Sequence, residues 1–349
     1  MRAQREIAFH LREVGKLTEA DTLLRGVMRS LEMTHTENSP FGLETAGTLG
    51  YTLFLEARYD EAIAILRTTL ERQRTVLGER YGPTVNTMRW LGSALRDKGE
   101  LDEAEQLYRD AVRIAQQLYG DDHQQTIWGE HVLSMLLERR GQLDEAEALT
   151  RHGLASAVRI WNPDHPHVVL ERARLGGILL DRGNHAEAEK LLRGEFVHMR
   201  HIYSPDFPDL GDVLNRLAYI AVERGAGDAD KLYREASTFD RNRAASSPVF
   251  VTDGLHFLAW TQHRKGDLQS AERNYRRALT IYRQQLPAGH AYRAAAATGL
   301  GAVLIDEGHP REAEPYLREA IIESERSPSP DSVRIAEARA LLTRVAGSR

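Results

Sequence analysis

The stretch GELDEAEQLYR, Gly99 to Arg109, sets four carboxylates, Glu100, Asp102, Glu103 and Glu105, within six positions. Forty-two residues later the pattern returns as GQLDEAEALTR, Gly141 to Arg151. A catalytic or metal-binding cluster is rarely written twice in tandem, whereas a structural unit is, so self-similarity is the first thing to test. Aligning on the alanine of DEAE gives Ala20, Ala62, Ala104, Ala146, Ala188, Ala229, Ala271 and Ala313, every step being 42 residues except one of 41. Upstream of each alanine stands a turn residue: Gly15, Ala57, Gly99, Gly141, Gly183, Gly225, Gly266 and Gly308. Eight units, at roughly 3–44, 45–86, 87–128, 129–170, 171–212, 213–253, 254–295 and 296–337, make a single array with a tail at 338–349.

Each unit reads as two helices. Eight positions before the turn residue stand Ile7, Leu49, Leu91, Leu133, Leu175, Leu217, Leu258 and Leu300, each followed by Ala, Gly or Ser. A large apolar residue beside a small one is what close helix packing requires. Leucines four before the turn (Leu11, Leu53, Leu95, Leu137, Leu179, Leu304) complete an apolar stripe. The glycine supplies the left-handed residue that ends the helix, and Ala57 is predicted to do so under modest strain. Asp102 with Glu105, Asp144 with Glu147 and Gln269 with Glu272 predict capping boxes opening the second helices. A further column, Tyr81, His123, His165, Phe207, Val249 and His290, predicts packing or capping at the start of the next unit rather than a metal site. The stretch 225–250, with one position lost and a polar second helix, predicts a softer joint.

Composition bounds the chemistry. The chain is 42% hydrophobic and 28% charged, as an ordered helical protein is, and its net charge of −5 offers no field to recruit nucleic acid or an anionic membrane. Without cysteine there is no disulfide, thiol nucleophile or Cys-based metal centre. There is no apolar run of about 18 residues, as a membrane span needs, and no signal peptide, so the expected location is cytoplasmic. Basic residues are overwhelmingly arginine, a bias typical of a GC-rich bacterial genome. The sequence contains no H-E-x-x-H, G-x-S-x-G, Walker or kinase catalytic-loop motif, so no enzyme activity and no cofactor or metal is expected.

The alternation of Gly, Leu, Asp-Glu-Ala and a downstream Ala inside a helix pair resembles the tetratricopeptide repeat. The 42-residue period, with connections such as LYGDDHQQT (118–126) and WNPDHPHVV (161–169), is similar to the longer kinesin-light-chain-type variant. This resemblance covers the whole chain and implies an all-α, right-handed solenoid of about eight helix-turn-helix units. It also implies a concave groove lined by the first helices, which binds a protein or peptide. The segment LPAGHAYRAAAATGLGAVLIDEG, from Leu286, resembles repeats appended to bacterial serine/threonine kinases and STAND-type signalling proteins, which makes a sensor module of a larger signalling protein the alternative. A self-associating scaffold, hence a homo-oligomer, is another.

On the implied groove face fall Tyr51, Met135, Tyr219 and Trp260 in one column and Arg89, His131, Asn215 and His256 in another. Trp90, Arg174, Arg216 and Phe257 stand at its edge. Aromatics interleaved with arginines predict a peptide ligand with acidic and apolar residues. Asn215 resembles the family's peptide-clamping asparagine, and the other units lack it.

Overall fold

The computed structural model describes residues 1–203, 207–246, 255–327 and 332–347, and all the regular structure in them is α-helical. The helices are α1 (Arg2–Glu13), α2 (Leu17–Met33), α3 (Pro40–Leu55), α4 (Tyr59–Val76), α5 (Gly82–Lys98), α6 (Leu101–Tyr119), α7 (Gln124–Arg139), α8 (Leu143–Ile160) and α9 (Pro166–Asp181). They continue as α10 (His185–Ile202), α11 (Pro208–Glu223), α12 (Ala229–Ser246), α13 (Leu255–Arg264), α14 (Leu268–Gln285), α15 (Ala291–Asp306), α16 (Pro310–Arg326) and α17 (Ser332–Gly347). None of the described helices is long and apolar enough to cross a membrane. Of the joint expected over 225–250, α12 is helical to Ser246, and 247–250 lies outside the described residues.

Two compact units form: Met1–Leu136 with Ala155–Ile160, and Leu137–Leu154 with Trp161–Arg349. Within each, successive first helices pack on one another, α3 on α5 in the first unit and α9 on α11 on α13 on α15 in the second, and second helices pack on their own first helices, α2 on α1, α4 on α3 and α6 on α5 in the first unit and α10 on α9, α12 on α11, α14 on α13 and α16 on α15 in the second. The small residues of the sequence pattern are where these pairs touch. A Cβ at Gly50 would stand 2.5 Å from Leu66, at Gly92 2.6 Å from Tyr108, and at Gly176 2.8 Å from Leu192. Those distances leave no room for a side chain, so the facing residue can be large and fully buried.

The first helices end alike. The N–H of the residue after the turn reaches back to the carbonyl of the repeating leucine (Lys16 to Leu11, 2.8 Å; Arg58 to Leu53, 3.0 Å; Glu100 to Leu95, 2.9 Å; Asn184 to Leu179, 2.8 Å), the closure of a Schellman motif. The motif needs a left-handed residue, and Ala57 adopts it at φ 58° where the other units use glycine. A left-handed alanine costs roughly 1–2 kcal/mol, part of which glycine returns as unfolded-chain entropy. Ala57→Gly is therefore expected to raise stability by about 0.5–1 kcal/mol. An unchanged or lowered urea midpoint would show that the turn costs alanine nothing.

The acidic clusters do not open the second helices as capping boxes. The N-cap residues are Lys16, Arg58, Glu100 and Asn184, none of which makes a side-chain cap hydrogen bond. Asp267 does, accepting from the Ser270 N–H at 3.2 Å. The Schellman closure starts each helix earlier than the acidic residues predict, and so places Asp102 and Glu103 in the first turn, where the helix dipole still favours them.

Their neighbours explain the rest. Each second helix carries an arginine five residues after the DEAE alanine, from Arg25 to Arg318. Several reach an acid at the start of the next second helix: Arg67 to Glu103 at 2.7 Å and Arg151 to Glu187 at 2.9 Å in the first turn, and Arg193 to Asp228, just before α12, at 2.6 Å. Arg25 pairs likewise with Glu61, and Arg276 with Glu312. Most of the arginines in this column also hold an acid one turn back on their own helix, as Arg109 holds Glu105 and Arg25 holds Asp21, both at 2.8 Å. GELDEAE is thus one rung of an ion-pair ladder. Individual exposed rungs contribute little, but a network repeated at fixed spacing sets the register between units.

Candidate functional site

The histidine column caps. His123 Nδ1 accepts from the Gln125 N–H at 3.2 Å, His165 from His167 at 3.3 Å and His290 from Tyr292 at 3.1 Å. His123 also stacks on Tyr119 at 4.3 Å and His165 on Trp161 at 4.7 Å, while Phe207 stacks on Tyr203 at 4.1 Å in the equivalent place. An imidazole there serves the first N–H groups of the helix and presses its ring on the preceding aromatic, which leaves its Nδ1 engaged.

In the first unit the groove candidates assemble into a ladder of rings and guanidinium. Tyr51 and Trp90 stack with centroids 5.0 Å apart and planes 15° apart. The Arg12 guanidinium lies 5.0 Å from the Tyr51 ring and 5.0 Å from the Phe9 ring. Phe9 is 44% exposed, and Tyr51 and Trp90 are half-buried. Gly47 makes the stack close: a Cβ there would stand 3.3 Å from the Trp90 ring. Beside the ladder is a pocket of about 250 Å³ whose lining includes Arg5, Phe9, Arg12, Glu44, Gln73, Asn86 and Trp90. Arg5 pairs with Glu44 at 2.9 Å, and the Tyr81 hydroxyl donates to the same carboxylate at 2.7 Å.

Arg89 turns away from this surface. It is buried, its Nη2 donating to Asn86 Oδ1 at 2.6 Å and Gln125 Oε1 at 3.0 Å, with Trp128 5.4 Å from the guanidinium. Burial without a carboxylate lowers its pKa to about 10. His131 and Met135 lie half-buried on α7, and Met135 Sδ accepts from Arg96 at 3.8 Å.

In the second unit the candidates meet one another rather than solvent. Arg174 pairs with Glu138 at 3.1 Å. Arg216 is 2% exposed and is shared by Asp212 at 2.9 Å, Asp181 at 3.3 Å, the Gly177 carbonyl at 3.1 Å and the Tyr292 hydroxyl at 3.2 Å. Tyr292 also donates to Asp181. Burial pulls the Arg216 guanidinium down, but Asp212, Tyr292 and Asp181 outweigh it and hold it well above its ordinary value. Burial raises the Asp181 carboxyl, with Arg216 opposing. Phe257 lies 5.3 Å beneath Arg216, and His256 is packed between Phe257 at 4.0 Å and Tyr292 at 4.5 Å with its Nδ1 3.1 Å from the Tyr282 hydroxyl. Asn215 is buried, its Oδ1 lacking a partner among the described residues. Tyr219 and Trp260 are half-buried and meet edge to face at 4.7 Å; burial pushes the Tyr219 phenol up to about 12.

The sequence profile of the tetratricopeptide repeat matches residues 43–80, 83–157 and 253–322, over half of the chain. The chain belongs to the tetratricopeptide-repeat family. Among solved structures, a putative kinesin light chain from Podosopora anserina with nearly identical TPR-like repeats is similar at 19% identity, over 59% of this chain and 97% of that one, with a TM-score of 0.49. The apo form of RapI is similar at 13% identity, over 81% of this chain and 97% of that one, at 0.61. The apo form of the quorum sensor NprR from B. thuringiensis is similar at 12% identity, over 92% and 86%, at 0.61. No curated protein matches the sequence. At these identities the last two show the fold alone. The tetratricopeptide family is one of interaction scaffolds; in this member the sequence columns named Tyr51 and Trp90, which stack, and did not name Arg12 beside them or Gln73 in the adjoining pocket. Gln73 carried no signal: its column holds Leu31, Ala115, Ala157 and Met199 but also Asp240, Tyr282 and Ser324.

Proposed function

We propose that this tetratricopeptide chain is a non-catalytic scaffold that holds a peptide segment on the first-helix face of its first unit. The ladder of Phe9, Arg12, Tyr51 and Trp90 carries the reading. Its rings remain partly exposed and its guanidinium lies over them, which gives stacking surface together with a partner for a carboxylate. Its ligand is a segment with an apolar or aromatic residue next to an acidic one. In the second unit Arg174, Arg216, His256 and Phe257 are engaged with Glu138, Asp181, Asp212 and Tyr292, so that face supports its own packing before any ligand.

A displayed random-peptide library selected on the purified chain tests this. Tyr51→Ala and Trp90→Ala are each expected to weaken an enriched peptide by tenfold or more, on the order of 1.4–3 kcal/mol for a central aromatic. Trp260→Ala, in the second unit, is expected to leave affinity within about twofold. Peptides that lose binding with Trp260→Ala and ignore the other two variants would place recognition on the second unit and overturn the proposal.

A further inference from the structure

We infer that Arg89 is a lidded carboxylate site on the first-helix face of the first unit, reached by an acidic residue of the bound segment when Asn86 or Gln125 gives way. This deepens the peptide-binding role proposed above and rests on it. Arg89, on α5, is 8% exposed. Its Nη2 donates to two neutral acceptors, Asn86 Oδ1 at 2.6 Å and Gln125 Oε1 at 3.0 Å, and its Nε is buried with no partner among the described residues. No carboxylate among the described residues pairs with it, and the groups that oppose the effect of burial on its pKa are two phenols, Tyr51 and Tyr108. The second unit shows how this chain otherwise treats such a guanidinium. Arg216, 2% exposed, has Asp212 at 2.9 Å and Asp181 at 3.3 Å, and Arg174 has Glu138 at 3.1 Å. A buried cation held by carboxamides alone is left uncompensated, and such a group points to a partner outside the fold.

The site lies one side chain below the surface. Asn86, Gln125 and Trp128, whose ring is 5.4 Å from the guanidinium, are each only half-buried, and Asn86 also lines the pocket beside the ladder. A rotamer change in either carboxamide uncovers the guanidinium without moving a helix. The chemistry of the missing partner follows from what the carboxamides do not supply. In a guanidinium, Nε–H and one Nη2–H lie parallel at the spacing of two carboxylate oxygens. A carboxylate on that edge fills the bare Nε, replaces one carboxamide at Nη2 and brings the absent negative charge. A neutral amide brings only the kind of hydrogen bond that Asn86 and Gln125 already make. Arg12 stands at the α1 end of the ladder and Arg89 at the α7 end, with Tyr51 and Trp90 between them. The segment that fits carries an acidic residue on each side of an aromatic or apolar one.

The test uses the full chain labelled with ¹⁵N-arginine and three probes: acetate, acetamide and N-acetyl-tryptophanyl-glutamate amide. Arg89→Lys identifies the Arg89 Nε–H signal. That signal is expected to shift saturably with acetate at millimolar concentration, to ignore acetamide, and to shift with the dipeptide at lower concentration. Gln125→Ala removes one of the two competing acceptors and is expected to tighten acetate binding about threefold or more, a gain that an arginine serving only to pack α5 on α7 would not give. An Arg89 signal that stays still with acetate and dipeptide, or that responds equally to acetate and acetamide, would overturn the site and leave the aromatic face intact. Acetate binding at Arg89 without any dependence of library peptides on Tyr51 and Trp90 would instead make it a site for small organic acids, and the peptide reading itself would fall.

Discussion

Arg216→Ala is expected to destabilise the second unit by about 3–5 kcal/mol, the usual cost of stripping one partner from a buried charge cluster. The variant leaves Asp181 and Asp212 without their cation, takes one donor each from the Gly177 carbonyl and the Tyr292 hydroxyl, and removes the cation from the Phe257 ring. Asp181 already has a raised pKa and can take up a proton when Arg216 is gone, which holds the loss toward the lower end of that range. Because the penalty comes from uncompensated charge, Arg216→Met with Asp181→Leu is expected to recover much of it. Urea denaturation of the single and double variants measures this. A loss under about 1 kcal/mol for Arg216→Ala would mean that Tyr292 and its surroundings hold the unit together without the ionic centre.

Acidification is expected to weaken the second unit through His290, by on the order of 3 kcal/mol between neutral pH and pH 4. His290 is buried, its Nδ1 accepting from the Tyr292 N–H and its Nε2 lying 3.4 Å from the Glu138 carbonyl oxygen, so the ring must be the neutral tautomer protonated on Nε2. Burial is the main cause that lowers its pKa to about 4, with Arg139 and Arg293 adding to it and the Glu138 carbonyl opposing. In the unfolded chain the ring titrates near 6.5, so below that pH the unfolded state binds a proton the folded state refuses. Stability from this group is complete above about pH 6.5 and falls progressively toward pH 4. Asp181, with its raised pKa, works in the opposite direction in acid, so the comparison has to be made against a variant. His290→Asn keeps an N-cap acceptor without a titrating ring, and its stability is expected to fall less between pH 7 and pH 4. Equal slopes for the two proteins would remove His290 as the cause.

What was legible in the sequence was what repeats. The turn glycines, the large and small pair, the leucine before the turn and the capping column recur in most units because the same local geometry calls for them, so comparison of the eight copies reveals them. The capping boxes misled because Asp102 and Glu105 satisfy a local rule while the Schellman closure starts the helix earlier and Arg109, one turn on in the same helix, takes Glu105. Gln73 was not marked in the sequence, because its column mixes Leu31, Ala115, Ala157 and Met199 with Asp240, Tyr282 and Ser324; only the pocket built from α1, α3, α4 and α5 sets it apart.

The amino-acid sequence by itself determined the helix pairs, their spacing and the face on which each residue falls, because these follow from a 3.6-residue period and from where backbone N–H groups need caps. Which members of one column stay open was decided by tertiary structure alone. Trp90 and Arg216 stand at the same register, yet Trp90 joins a half-exposed stack while Arg216 is enclosed by Asp181 and by Tyr292, 76 residues further on. Periodicity places a side chain on a face; only the packing of distant helices settles whether water, a ligand or another part of the chain meets it there.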